Sequence, residues 1–472
     1  KRGFVARGIF GTEAFYRGEF DATGPVSENF AVKGGRLAYR LIGVYQWSDG
    51  FPRGNRSDRQ GIYPMLSFAH GRTTMRLQGE LYEQVIGGQS NGFFNREGTG
   101  LYIRPGGSRE DAWKETWAEA TFDRAKIRGS IQHDFGNGWN ANLILSHSKT
   151  GRFDKDIRNT TVPNWNTMTL AQQYFINFTD SYYDAVSADV IGKYQLWGME
   201  HESFFGANAD SFDDFANGRV TRNLTPLSLL NPVLGRPKPT DEEMWAPNPV
   251  NSLNLGTGLS KYANLSYSHS VDLLPRKLSL VAGLGYNTVT AKDFAAPTTG
   301  GAHQETRPDE MTTRRLGLVY RPHERVSLFA NNQTTFQPQN AQDFFGHQLK
   351  PTVGEVTDLG VKLSLPNEKI VGMVTFFRLQ VTGLSVVDFA HPGFRVSSGQ
   401  QVNDGIEVEF QLRPIRSLQI VATFYKGDIR DYYTGQQLDN SVNETASLVV
   451  RYDFKSGPLP GLVTTAGTST TL

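Results

Sequence analysis

The residues most suggestive of chemistry are two short pairs, His201-Glu202 and Glu407 with Glu409. His-Glu opens the His-Glu-x-x-His zinc helix, in which two imidazoles one turn apart share a metal. Position 205 is Phe, so the second ligand fails and the pair reads as strand residues beside a turn. Glu407 and Glu409 lie two apart, which on a strand places both carboxylates on one face. Glycoside hydrolysis needs a carboxylate opposed across a cleft, so a polar wall is the plainer reading. Gly300-Gly301 is followed by no Gly-Lys-Ser/Thr, and no Gly-x-Ser-x-Gly elbow occurs. The chain has no cysteine, which excludes disulfides and thiolate metal sites. No enzyme, resident metal or cofactor is expected.

What remains is a set of side chains that could hold a ligand without reacting with it. Phe93, Phe94, Tyr102, Arg104, Trp165, Tyr174, Trp245, Phe344 and Phe345 fall on long polar connections, and Gln333, Phe336 and Gln337 at the end of a strand. Aromatic faces with amide and guanidinium donors suit a neutral or anionic chelate, by apolar contact and hydrogen bonding. The competing reading is that they pack loop against loop or sit in an interfacial girdle. His347 and His391 are loop histidines that could reach a haem, although solvated histidines are commoner.

These residues are carried by strands, read from period-two alternation. Residues 314–377 show the rhythm best. A short apolar run ends at Arg321-Pro322-His323-Glu324-Arg325, a second strand reaches about Phe336, and a polar connection spans 337–349. A third strand then begins near Gly354, turns at Pro366-Asn367-Glu368-Lys369 and returns through Phe377. Elsewhere, strands at about 3–11 and 13–23 lead through a tight connection at Gly24-Pro25 to 37–45. Placing Tyr39, Leu41 and Tyr45 toward lipid leaves Arg40 in a wet lumen; the reverse would cost about 2–4 kcal/mol near the bilayer midplane. Pairs near 60–70 and 72–84, and near 116–134 and 138–152, turn at His70-Gly71 and at Gly136-Asn137-Gly138. The next pair, near 181–193 and 195–209, turns around Lys193. A connection over about 210–257 carries six prolines from Pro226 to Pro249, too long for a structureless span in a compact soluble domain. Strands near 258–272 and 276–292 follow, and alternation resumes at 405–412, 418–424, 446–454 and 462–472.

That makes about nineteen strands, with long and short connections alternating by parity almost without exception. A barrel with different solvents at its two ends sorts loops this way, and a soluble sandwich has no reason to. The fold class expected is all-β, a transmembrane antiparallel β-barrel with the long loops extracellular. Mean hydropathy is −0.42 and no apolar run is long enough for a helical span; alternation of lumen and lipid faces produces the same average. The 49 Gly, 30 Phe and 18 Tyr suit twisted strands with aromatic belts. A net charge of +1, from 48 basic and 47 acidic residues, makes no case for nucleic acid.

Four stretches resemble the TonB-dependent outer-membrane receptors, particularly the ferric-siderophore group. They are LKPTVGEVTDLGVKLSL with FANNQTTFQPQNAQDFFG just before it, FDATGPVSENFAVKGGRLAYRLIGVYQWSDGF near the start, and QVNDGIEVEFQLRP later. The resemblance implies a barrel of about twenty-two strands, so that residues 1–472 would be one incomplete barrel domain lacking about three C-terminal strands and an N-terminal plug. It implies a monomer in outer-membrane lipid that captures a ferric siderophore, and a TonB–ExbB–ExbD complex acting through the plug. A passive porin, a surface adhesin, and uptake of a vitamin, haem or oligosaccharide are the alternatives.

Overall fold

The computed structural model describes all residues except 1, 27–33, 51–53, 89–94, 98–101, 109, 241, 244–251, 296–303, 306–308, 340, 342, 366–368, 392, 439–440, 457, 459 and 472. Strands in chain order are β1 (Gly3–Phe10), β2 (Tyr16–Pro25), β3 (Arg36–Asp49), β4 (Arg56–His70), β5 (Thr73–Gly87), β6 (Glu119–Gly136), β7 (Trp139–Asn159) and the short β8 (Thr169–Leu170). They continue as β9 (Gln172–Leu196), β10 (Met199–Asn223), the short β11 (Leu227–Ser228), β12 (Ser252–Leu274), β13 (Leu278–Ala295) and the short β14 (Gln304–Glu305). The last are β15 (Asp309–His323), β16 (Val326–Gln337), β17 (Thr352–Ser364), β18 (Ile370–Val387), β19 (Arg395–Ile415), β20 (Leu418–Asp431), β21 (Glu444–Asp453) and β22 (Val463–Thr471).

All but β8 and β11 belong to one 20-stranded sheet, in which each long strand pairs antiparallel with the next. Setting aside the two-residue β14, nineteen long strands stand side by side among the described residues. The reason is visible in the side chains. Across β3, β4 and β5, one face carries Tyr39, Leu41 and Tyr45, then Leu66 and Ile62, then Leu77 and Leu81, all in one cross-strand register. The same face continues through Leu145, Val186, Phe205, Leu265, Leu284, Leu316, Leu359 and Phe376. These side chains are largely exposed, so they form an apolar band with no protein over it. The opposite face is polar. Arg40 stands there as expected, held by Asp21 at 2.6 Å, and Glu407 and Glu409 share it with Thr423 and Tyr425 of the next strand.

The connections of two or three residues all lie at one end of the sheet, while 11–15 and 50–55 are the short ones at the other. Asn137-Gly138 and Trp197-Gly198 have both central residues at positive φ, the type I′ geometry that matches strand twist. The pair near 181–209 therefore turns at Trp197-Gly198 and not around Lys193. Tryptophan at positive φ is not a turn signal, so composition pointed to the wrong place. Gly24 and Pro25 are likewise not a tight connection: they pair with Tyr39 and Ala38 as the end of β2.

The other end departs most from expectation. Strands β9 and β10 have 25 residues each, whereas about 9–11 suffice to cross a bilayer. The surplus continues roughly 45 Å along the strand. Residues 153–159 and 172–180, which fall between the strands expected from sequence, and 210–223 and 252–257, read above as connection, are therefore paired strand. Residues 378–387 and 395–404 are paired in the same way. Beyond the apolar band neither face meets lipid, so the alternation that marks a strand in sequence disappears while the backbone ladder continues.

Candidate functional site

Three consecutive long connections, 88–118, 160–171 and 224–251, meet at the end opposite the tight turns. Trp113, Leu170, Leu227 and Leu229 are buried together there, with Tyr102, Trp165, Met168 and Leu234 packed around them. Strands β8 and β11 pair within the cluster, Leu227 with Leu170 and Ser228 with Thr169. A short ladder satisfies backbone groups that would otherwise be buried unpaired.

Polar side chains tie this cap to the sheet. Glu115, 2% exposed, accepts from the Gly235 N–H at 2.6 Å and lies 3.7 Å from Arg236. Arg236 also donates to Gln172 at 3.2 Å, and Gln172 donates to the Trp113 carbonyl at 2.8 Å. The Trp117 indole N–H donates to the Arg236 carbonyl at 2.8 Å. Lys114 reaches Asp156 of β7 at 3.0 Å, and Lys238 reaches Glu119 of β6 at 2.9 Å. None of Glu115, Trp117, Gln172 and Arg236 stood out in sequence. Isolated polar residues in proline-rich polar loops carry no periodic signal, and only their convergence makes them a unit.

This geometry redistributes the candidate ligand residues. Tyr102 lies 5.3 Å from Trp165 and 5.8 Å from Trp113, ring to ring, and its hydroxyl donates to the Leu229 carbonyl; burial pushes that hydroxyl's pKa up. Arg104 is engaged by Asp111 at 3.0 Å. Tyr174 is not on a loop: it belongs to β9, pairs with Ile157 and lies 5.7 Å from the Trp117 ring. Loop-on-loop packing accounts for Tyr102 and Trp165, a loop-on-strand contact for Tyr174, and an ion pair within its own loop for Arg104. Gln333 and Gln337 are exposed on the polar face of β16, while Phe336, at odd spacing from both, shares the face of Leu328 and Ala330. These three do not converge. Phe93, Phe94 and Trp245 lie outside the described residues.

Phe344 belongs to a second cluster, where the connections 338–351 and 388–394 touch. Its ring stacks on His391 at 3.8 Å and meets Phe394 edge-on at 5.3 Å. His391 is 2.9 Å from Asp388, and His347 is 3.2 Å from Asp343 within its own loop. The His391 hydrogen bond holds the Asp388 carboxyl below the usual carboxylate range. Among the described residues, no group of three or more His, Asp or Glu is placed to hold a metal ion. At the same end of the sheet Phe345, Phe389 and Tyr433 stand 75%, 93% and 68% exposed, and Tyr432 meets Tyr433 edge-on at 5.4 Å. Phe389 and Tyr433 went unnoticed in sequence because their flanks resemble ordinary turns.

A family model described as TonB dependent receptor-like, beta-barrel matches residues 66–471. The chain belongs to this family. It is 21% identical over 463 residues to the metal-pseudopaline receptor of Pseudomonas aeruginosa, covering 94% of this chain and 62% of the relative. It is also 21% identical to the ferrichrome outer membrane transporter and phage receptor of Escherichia coli, over 97% of this chain and 62% of that protein. Among solved structures, the ferripyoverdine receptor of the P. aeruginosa outer membrane, bound to ferripyoverdine, superposes with a TM-score of 0.81 at 17% identity, covering 99% of this chain and 61% of that one. The siderophore receptor PiuA of Acinetobacter baumannii gives 0.80 at 15% identity, covering 100% of this chain and 71% of that one. The chain thus spans about 62% of the length of the curated relatives named here. In this family fold the apolar face is the outside of a β-barrel wall and the polar face lines its lumen.

Proposed function

We propose that this chain is the wall of an outer-membrane receptor that captures a ferric siderophore at its long-loop end and imports it with energy delivered through TonB. The observation that carries the reading is the sorting of connections: every two- or three-residue turn lies at one end, and the other end, where only 11–15 and 50–55 are short, builds a packed cap and leaves several aromatics exposed. The relatives' names, which describe receptors for pseudopaline and ferrichrome, support a metal chelate as the ligand class. The role is binding and transport rather than catalysis. The complete protein would include a plug in the lumen and further wall strands, and the share of the relatives' length left uncovered has room for both.

Within this reading Phe345, Phe389, Tyr432 and Tyr433 are the aromatic contacts, with Gln333 and Gln337 supplying amide donors from the wall. The cap aromatics Tyr102, Trp165 and Tyr174 set the shape of the mouth instead of touching ligand. The test is uptake of radioactive iron, presented as ferric pyoverdine, ferrichrome or ferric pseudopaline, by cells with this receptor as their sole candidate importer, with and without TonB. Accumulation that requires TonB for at least one chelate supports the proposal. Entry that persists without TonB would make the protein a passive pore.

A further inference from the structure

His201, whose partial zinc-helix motif fails at Phe205, belongs to the outer face of the wall. It shares the parity of Phe205 on β10 and pairs across to Tyr194 of β9 and Val271 of β12. Ser203, the next residue on that face, pairs with His269 of β12. Four hydrogen bonds join these side chains into one chain. His201 Nε2 lies 3.2 Å from the Leu196 carbonyl oxygen, and His201 Nδ1 lies 3.0 Å from His269 Nε2. His269 Nδ1 lies 3.0 Å from the Ser203 hydroxyl, which is itself 3.0 Å from the Tyr194 hydroxyl. His201 is 8% exposed and Ser203 3%, so neither can exchange a partner for bulk water.

One end of the chain fixes the protons along all of it. A carbonyl oxygen only accepts, so His201 Nε2 must carry a hydrogen. In a neutral imidazole the other nitrogen is then an acceptor. His269 Nε2 therefore donates to His201 Nδ1, Ser203 donates to His269 Nδ1, and Tyr194 donates to Ser203. One added proton can be held by running the chain backwards, with His201 donating to His269 and His269 to Ser203. A second proton sets N–H against N–H across 3.0 Å and leaves two charges on an apolar face, where burial of charge is costly unless it is paired. The groups turned toward the pair from the adjoining strands are Trp139 of β7, Tyr194 of β9, Tyr267 of β12 and Ala282 of β13. Only the two phenols among these titrate. Glu200, Glu202, Lys193 and Asp272 take the opposite parity, where Lys193 pairs with Glu202 and Asp272 with Ser279.

We propose that Tyr194, Ser203, His269 and His201 form a proton-operated latch. It ties β9, β10 and β12 together beside the Trp197-Gly198 turn while at least one imidazole is neutral, and lets them part once both are charged. Imidazole in general gains its charge between about pH 8 and pH 5, so neutral pH is the closed state and acid the signal. The latch goes beyond the uptake reading, since it lies on the side of the wall away from the lumen and at the end away from the long loops. Its opening loosens the tight-turn end of three neighbouring strands and leaves the cap as it is.

The test follows histidine nitrogens and backbone amides of the full-length protein in detergent. With nitrogen-labelled histidine, NMR should show both His201 and His269 as Nε2–H tautomers at about pH 8. Hydrogen exchange, corrected for the intrinsic rate, should show protection of 194–205 and 265–272 falling roughly tenfold or more between about pH 8 and about pH 4.5. Strands β15 and β16 serve as the internal control. In a variant carrying His201→Gln and His269→Gln, that extra loss should disappear, because an amide hydrogen-bonds without titrating. Heat-dependent gel migration confirms that the variant is folded. An Nδ1–H tautomer at His269, wild-type protection unchanged in acid, or an equal loss in the double variant overturns the proposal. The second of these is read on the wild type alone, so the proposal stays open to refutation even if the variant does not fold.

Discussion

Two side chains at the loop end govern most of what a point mutation can reveal. Asp388 owes its depressed pKa first to the hydrogen bond from His391, with further help from the Ala390 N–H. A depressed carboxylate contributes stability above its unfolded value and loses it as pH falls through the folded one. The contact between 338–351 and 388–394 should therefore hold at neutral pH and weaken in acid. In His391→Ala the Asp388 carboxyl should return toward its ordinary 3.8, read by carbon-detected NMR titration; an unchanged value would show that the histidine is not the cause. Glu115 is the second. Glu115→Ala strands the Gly235 N–H in a buried site, at a cost of about 1–3 kcal/mol. Hydrogen exchange across 224–238 should quicken while β6 and β7 keep their protection.

At the scale of elements, the hairpins and the cap make separate predictions. Gly138 has φ +85°, and a Cβ there would lie 2.3 Å from the Lys193 carbonyl oxygen. Gly138→Ala should cost about 1–3 kcal/mol and lower the temperature at which the folded band is lost on a gel. Gly129→Ala, with nothing within 4 Å of its added Cβ, should leave that temperature unchanged. Trp113 is the large anchor of the cap at 4% exposure. Trp113→Ala removes about 3–5 kcal/mol of packing, so trypsin should cut 102–118 far faster without opening the strands. If the strands became susceptible as well, cap and wall would form one cooperative unit.

The whole molecule is a wall whose two faces and two ends meet different surroundings. Strand ladders run without a break in pairing order from β1 to β22, so the wall does not depend on the cap for its hydrogen bonds. Replacing 226–239 by a short Gly-Ser linker should leave the heat-dependent migration of the folded barrel intact. The same change should expose Trp113 and Leu170 and raise the protease sensitivity of 88–118. Failure to fold would instead make the cap part of the folding nucleus of the wall.

The amino-acid sequence by itself determined the strand count, the two faces and the sorting of connection lengths. Within the membrane band each residue's polarity reports which solvent it meets, and a period of two can be read directly, as Leu278 to Tyr286 and Ile406 to Leu412 show. Arg40 could be assigned to the lumen on that ground alone. Tertiary structure alone decided where the strands end and which aromatics are free. Above the band Tyr174 and Ile157 still pair, but both sides of β7 and β9 meet water or loop, so polarity carries no period. Tyr102 and Trp165 look the same in sequence as Phe389 and Tyr433. Only the meeting of 88–118, 160–171 and 224–251 buries the first pair and leaves the second exposed, because burial there is set by contacts between segments more than fifty residues apart.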